Sequence, residues 1–489
     1  MVYSKVTEVT LNVLHLRKRV ELTMNQPWRL PLCLSMTVAL LACSPGAVKS
    51  PATHVGKTAT AKWSVDPYPS TYKPYGGAPT AIRGATILDG EGGRIERGVV
   101  FMSGGKITSV GGSDTAIPAD ATVIDGTGKF VTPGIIDIHS HLGDYPSPGV
   151  DAHSDGNEAT GPVRPEVWAE HSVWPQDPGF SRALVNGGVT ALHILPGSAN
   201  LFGGRSVTLK NVYARTMQGM KFPGAPQGLK MACGENPKRV YGGRNQMPAT
   251  RMGNVAVNRG VWAKAVEYRR KVEKGGDLTR DIAMDTLVGV LKGDILVQNH
   301  CYRADEMAIV MDMAKEFGYK VSTFHHAVES YKIADLLRTN GVCSAMWADW
   351  YGFKMESYDG IPENIPLVHN AGACAIVHSD DANGIQRLNQ EAAKALAAGR
   401  RAGIAISDEV AWTWLGINPA KALGIDAQTG SLKVGKMADV VLWNANPFSV
   451  YARPERVWID GALLYDAADP KRRPVSDFEL GQMGEGDVK

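Results

Sequence analysis

The sequence predicts an α/β protein: a (β/α)8 TIM barrel over residues 134–425, with a small β-sandwich domain built from both chain ends, residues 79–133 and 426–489. Three observations lead there. Apolar strand-like runs alternate with helical patterns through the central segment, the signature of βα units on a parallel sheet. Short alternating runs broken by Gly and Asp lie on either side of it, as in a β domain into which a larger one is inserted. The 489 residues also exceed the usual size of a single hydrophobic core.

The chain opens on a segment of a different kind. From Met24, one positive charge, Arg29, precedes a mostly apolar run from Leu30 to Leu41 that is too short to span a bilayer comfortably and reads as a signal-peptide core. It ends in Leu40, Leu41, Ala42 and Cys43, which resembles a bacterial lipobox with Cys43 as the lipidated first residue of the mature protein. The alternative is an ordinary cleaved signal in which Cys43 is incidental; both readings export the chain. Arg17, Lys18 and Arg19 belong either to an extended charged region or to a misassigned start, with Met24 as the true one. Ser44 after the lipobox goes with passage to the outer membrane, so a periplasmic, lipid-anchored enzyme is expected. Residues 44–78, rich in Pro, Gly, Ser, Thr and Ala, read as a flexible tether.

Strands of the β domain are expected at 81–88, 99–102, 106–110, 122–124 and 129–131, and again within 433–443 and 457–465. The barrel strands are expected at 135–139, 189–195, 206–209, 229–233, 295–299, 320–324, 341–346 and 373–377. Helices are expected at 305–317, 330–338, 388–398 and 407–415, the last capped by Ser407. Eight βα units close as a barrel whose site lies at the carboxyl ends of the strands.

A net charge of +3 and 21% charged residues describe an ordinary enzyme and no basic stripe, which argues against nucleic acid as a partner. The expected partners are a small-molecule substrate and, through the lipid anchor alone, a membrane; a homo-oligomer is left open. Export permits disulfides, yet Cys233, Cys301, Cys343 and Cys374 lie in or beside apolar runs and read first as small buried hydrophobes, with a pair left open.

His139 and His141 close the first barrel strand one residue apart, and i, i+2 side chains share a face, so two imidazoles reach one point. Glu235 follows the fourth strand, His300 the fifth, His326 the sixth, and Asp380 the eighth. Every one falls at a carboxyl end, where scatter over both faces is the expectation for unrelated residues. Neutral imidazoles and carboxylates suit one or two divalent ions, Zn2+ before Mn, Fe or Co. His193 and His378 lie inside strands and read as core histidines, while His153, His171 and His369 have no strand to aim them.

This pattern resembles the amidohydrolase superfamily, in the group of imidazolonepropionases and Xaa-Pro dipeptidases. The resemblance also rests on VTPGIID at 131–137, GGVT at 187–190, NPAKALG at 418–424 and GSLKVGKMADVV at 430–441. It implies His139, His141, His300, His326 and Asp380 as ligands, a bridging acid, and Asp380 as catalytic base and acid in hydrolysis of an amide or cyclic amide C–N bond. His326 is preferred over His325 because the segment from 326 to 332 is similar to the family's segment after its ligand. Relatives that cleave dipeptides bridge their metals with a carboxylated lysine on strand 4. Lys230 stands near that strand's start and Glu235 past its end, on opposite faces; Glu235 is preferred as lying on the catalytic side, with Lys230 left open. Arg205, Tyr241 and Arg244 are candidate substrate contacts, the arginines for a carboxylate; Trp347, Trp350 and Tyr351 are candidates for an apolar wall. Two other functions remain open, a superfamily deaminase with one metal and a catalytically inactive ligand-binding lipoprotein.

Overall fold

The computed structural model describes residues 64–275 and 278–473; the expected signal segment and Cys43 lie outside the described residues. The amino-terminal part forms strands β1 (Thr80–Leu88), β2 (Arg94–Ser103), β3 (Lys106–Gly111), β4 (Thr122–Asp125) and β5 (Phe130–Pro133). The central part forms β6 (Ile135–Ser140), β7 (Val189–Ile194), β8 (Phe202–Lys210), β9 (Gln227–Ala232), β10 (Ile295–Cys301), β11 (Val321–His326), β12 (Cys343–Met346) and β13 (Cys374–Val377). Three more follow, β14 (Val440–Trp443), β15 (Pro454–Ile459) and β16 (Ala462–Asp466).

Both chain ends meet in one sheet of order β16-β15-β14-β5-β1-β2-β3, with β4 beside β1. The junction is β14 against β5, antiparallel, with Val440 opposite Pro133. The pairings make a single continuous sheet where two facing sheets were expected; Ile82, Ile87, Val100, Val131 and Leu442 pack in its buried cluster.

The central strands form a second sheet of order β13-β12-β11-β10-β9-β8-β7-β6. It differs from eight parallel units at one place, since β8 runs antiparallel to both β7 and β9. The link from β7 to β8 holds only residues 195–201, too short for the crossover that parallel strands need. No ladder joins β6 to β13, and the barrel is nearly closed: the Asp380 N–H donates to the His139 carbonyl at 2.9 Å, and the Ser379 N–H to Asp137 Oδ1 at 3.2 Å. Gly134 opens β6 because any Cβ there would stand 2.0 Å from Thr190 Oγ1 of β7.

Helices fill the links as the sequence pattern asks. Ala304–Phe317 and Leu388–Arg401 match expectation, while 330–340 and 408–414 each split into a short α-helix and a 3-10 turn. Ser407 stands at the amino end of Asp408–Ala411 without a capping side-chain bond. The run after β9 forms the helix Glu235–Gly242, followed by the 24-residue helix Arg251–Lys274. Among the described residues, no helix is long and apolar enough to cross a membrane.

Two expectations need correction. Residues 64–78 of the supposed tether are tied to the barrel: Ser70 Oγ donates to the Lys221 carbonyl at 2.6 Å, Tyr72 to Asp460 at 2.5 Å, and Tyr75 to the Tyr213 carbonyl. Tyr72 thereby joins a buried network in which Lys210 Nζ, at the end of β8, lies 2.6 Å from Asp460 and 3.2 Å from Asp439. The four cysteines are not lone hydrophobes but two disulfides, Cys233–Cys301 and Cys343–Cys374. Cys343 and Cys374 face each other in the β12–β13 register, and Cys233 lies one residue past β9, beside the end of β10.

Candidate metal centre

All six residues of β6 are buried, three of them isoleucines, and the strand holds its histidines at the barrel mouth. His139 Nε2 and His141 Nε2 meet Asp380 Oδ1 at 3.3 and 3.1 Å. Two groups of ligand atoms, each within 4.8 Å of one another, form here: His139, His141 and Asp380, and His139, His326 and His378. The rings of His139 and His300 lie 4.8 and 4.5 Å from that of His326. His326, Ala327 and Asp380 hold φ of 69°, 40° and 56°, conformations that cost about 1–3 kcal/mol each and gather where function demands them.

Hydrogen bonds set the imidazole tautomers. His141 Nδ1 donates to the Leu195 carbonyl at 2.7 Å, which leaves the Nε2 lone pair facing Asp380. Behind His139 the pattern is a relay. Gln298 Oε1 takes the His325 Nε2–H at 2.8 Å, so His325 Nδ1 accepts from His139 Nδ1 at 2.9 Å and His139 Nε2 is bare. His325 thus supports His139, while His326 stands in the cluster with His139 and His378. Burial, reinforced by neighbouring cations, pushes His139, His300 and His326 well below their ordinary value. Burial likewise takes His378 down to about 4. All are therefore neutral at pH 7, the form that binds a metal. His300 Nδ1 and His378 Nδ1 are buried without a hydrogen-bond partner, as open ligand atoms would be. This donor set fits a divalent ion.

His378, expected as a core histidine, is instead part of the cluster, with Nε2 3.0 Å from His326 Nδ1. Glu235 is not. Gly234, at φ 77°, turns the chain out of β9, and Glu235 starts a helix with its carboxylate 3.8 Å from Lys354 Nζ. Lys230 reaches inward in its place, 1% exposed, with Nζ 3.4 Å from His139 Nε2 and donating to the Pro196 carbonyl at 2.9 Å. The barrel interior is on the side of Lys230, and because β9 ends at Ala232 strand alternation does not reach Glu235.

None of the three substrate candidates faces the cluster. Arg205 lies inside β8, 3% exposed, and bonds Thr286 Oγ1, Gln227 Oε1 and the Val65 carbonyl. Tyr241 is fully buried and donates to the Gly161 carbonyl at 2.8 Å; Arg244 donates to the Ala159 carbonyl. Two residues outside the expected set do reach the site. Tyr302 stacks on His326, with ring centroids 5.4 Å apart, and Lys354 sits 4.2 Å over the Tyr302 ring. The Trp347 ring also stacks on His326, at 4.3 Å, so this residue does form an apolar wall.

A histidine-and-aspartate cluster at the mouth of a nearly closed barrel is the plan of a metal-dependent hydrolase, and comparison with known proteins agrees. Residues 283–464 match the Amidohydrolase family, a stretch that holds His300, His326 and Asp380. The chain is similar to an amidohydrolase of known structure from Thermotoga maritima, with 34% identity and a TM-score of 0.73 over 79% of this chain and all of that one. It is also 32% identical over 434 residues to amidohydrolase tasK of Hapsidospora irregularis, covering 80% of this chain but only 44% of that protein. An imidazolonepropionase of Alkaliphilus metalliredigens is 23% identical over 72% of this chain and 85% of its own length. The chain belongs to the amidohydrolase superfamily.

Proposed function

We propose that the protein hydrolyses the C–N bond of an amide or cyclic amide in a peptide-like or N-acyl compound, with one or two divalent ions, Zn2+ first, held by His139, His141, His300, His326 and Asp380. The observation that carries this reading is the convergence of His139 Nε2 and His141 Nε2 on Asp380 Oδ1 at 3.3 and 3.1 Å. His378 stands within the same cluster. Lys230, carboxylated on Nζ, would supply the acid ligand in place of Glu235.

A divalent ion bound here polarises the scissile carbonyl and lowers the pKa of water toward 7. The chain's own residues do the rest. Asp380 takes the proton of the attacking water and returns it to the leaving nitrogen. Burial alone would raise its carboxyl, but its polar surroundings, His141 foremost and Lys230 behind, hold it below its ordinary value, ionised and ready to accept. The buried imidazoles, fixed by Leu195, His325 and Gln298, keep their lone pairs aimed at one point.

Two disulfides support the export reading, since such bonds persist in oxidising compartments; a lipid anchor at Cys43 and a periplasmic address complete it. A second reading, a one-metal deaminase, gains weight because Glu235 stands outside the cluster. Metal-loaded protein screened against dipeptides, N-acyl amino acids and cyclic amides tests the proposal. D380N should abolish turnover with metal still bound. Release of ammonia by protein holding one metal per chain would favour the deaminase, and turnover retained in D380N would remove Asp380 from its role.

A further inference from the structure

Lys354 belongs to the loop after β12, far in sequence from every residue of the cluster. Its backbone is held: the Ser357 N–H donates to the Lys354 carbonyl at 3.1 Å, Ser357 Oγ to the same carbonyl at 2.9 Å, and Ser357 is fully buried. The side chain reaches back over the mouth. Nζ donates to Asn236 Oδ1 at 3.1 Å, and the Asn236 amide in turn lies 3.4 Å from His300 Nε2 and 2.9 Å from Ser198 Oγ. One side chain, Asn236, therefore connects this ammonium to the His300 ring.

Its surroundings make the charge effective. Tyr302 lies 4.2 Å beneath it and Phe353 5.5 Å to one side, while Trp347 packs 5.8 Å from Phe353. Apolar rings exclude water and lower the local dielectric, so a fixed charge acts more strongly than at an open surface. Glu235, at 3.8 Å, is beyond hydrogen-bond reach and balances the charge without taking up the donors. The side chain is 20% exposed, so its ammonium can be reached from solvent.

We infer that Lys354 is the specificity-determining residue of this site: its ammonium receives a free carboxylate, and the substrate class is an amide that carries one, as N-acyl amino acids and dipeptides do. The inference rests on the amide-hydrolase reading and narrows it. Arg205 and Arg244, the cations first suggested for this task, donate to backbone carbonyls instead.

The test uses N-acetyl-L-phenylalanine and its carboxamide, in which the carboxylate is blocked, with metal-loaded wild type, K354M and K354R. Acetate release gives kcat/KM for each compound. In wild type the acid should exceed the amide; in K354M that ratio should fall by about 10- to 100-fold, the range for losing one charge-assisted hydrogen bond, mostly through KM. K354R should recover part of it. Calorimetric binding of both compounds to metal-loaded D380N and D380N/K354M reads the same preference without turnover. If wild type hydrolyses neither compound, the amide-hydrolase reading fails for this pair while the binding arm still judges Lys354. An acid-to-amide ratio unaltered by K354M, or no binding of the acid at all, overturns the inference.

Discussion

Lys230 offers a sharp prediction, because its chemistry and its location make separate demands. Burial pushes its ammonium from the ordinary 10.5 down to about 8. At pH 7.5 about a quarter of such a lysine is the neutral amine, against roughly 0.1% at 10.5, a gain of roughly two hundredfold. The neutral amine is the form that adds carbon dioxide, giving a carbamate and releasing a proton. Metal-loaded protein equilibrated with 13C-bicarbonate should therefore show one carbamate resonance, absent from K230M. K230M should lose at least one metal per chain, and E235Q should bind as wild type does.

Stability separates this loss from misfolding. The folded pKa of Lys230 lies below the unfolded one, so the penalty for burying its charge is fully present below pH 8 and vanishes as pH rises toward 10.5. K230M without metal should then be more stable than wild type by up to about 3 kcal/mol at pH 7, measured by urea unfolding. The reasoning is refuted if K230M keeps its full metal complement while E235Q loses it, with no carbamate signal in the wild type.

The buried histidines predict acid lability. His139, His193, His300, His325, His326 and His378 all have folded values below the ordinary 6.5. Their contribution is intact above pH 6.5 and is lost together as pH falls below it, against a domain stability of only about 5–15 kcal/mol. Urea midpoints of metal-free protein should be level from pH 7 to 8 and collapse between 6.5 and 5, and a flat profile would count against neutral buried imidazoles. Gln298→Leu removes the acceptor behind His325 and should weaken metal affinity by about 10- to 100-fold, read by competition with a chromogenic chelator; unchanged affinity would show that the relay does not orient His139.

Much of this site was legible because strands have a period of two and end at a common face. That rule found His139 and His141, and the ends of β10, β11 and β13 supplied His300, His326 and Asp380. The same rule applied to His378 and Asp380 would have found His378, which shares their spacing. Where the sequence misled, the cause was an element boundary or a face. Arg205 looked like a loop residue because β8 is antiparallel and begins at Phe202. Parity could not decide between Lys230 and Glu235, because β9 ends at Ala232 and Gly234 turns the chain before Glu235. The disulfides depend on which strands lie side by side, information that apolar runs do not carry. Lys354 sits in a loop, where no periodicity exists to place it.

The central claim is that His139, His141, His326 and Asp380 enclose a divalent ion. A crystal of zinc-loaded protein, measured with anomalous scattering at the zinc edge, tests it most directly. The account predicts a peak within coordination distance of His139 Nε2, His141 Nε2 and an Asp380 oxygen, lost in a His139→Ala/His141→Ala double variant that remains folded. Zinc bound only away from these atoms, or no zinc in fully folded protein, would contradict it.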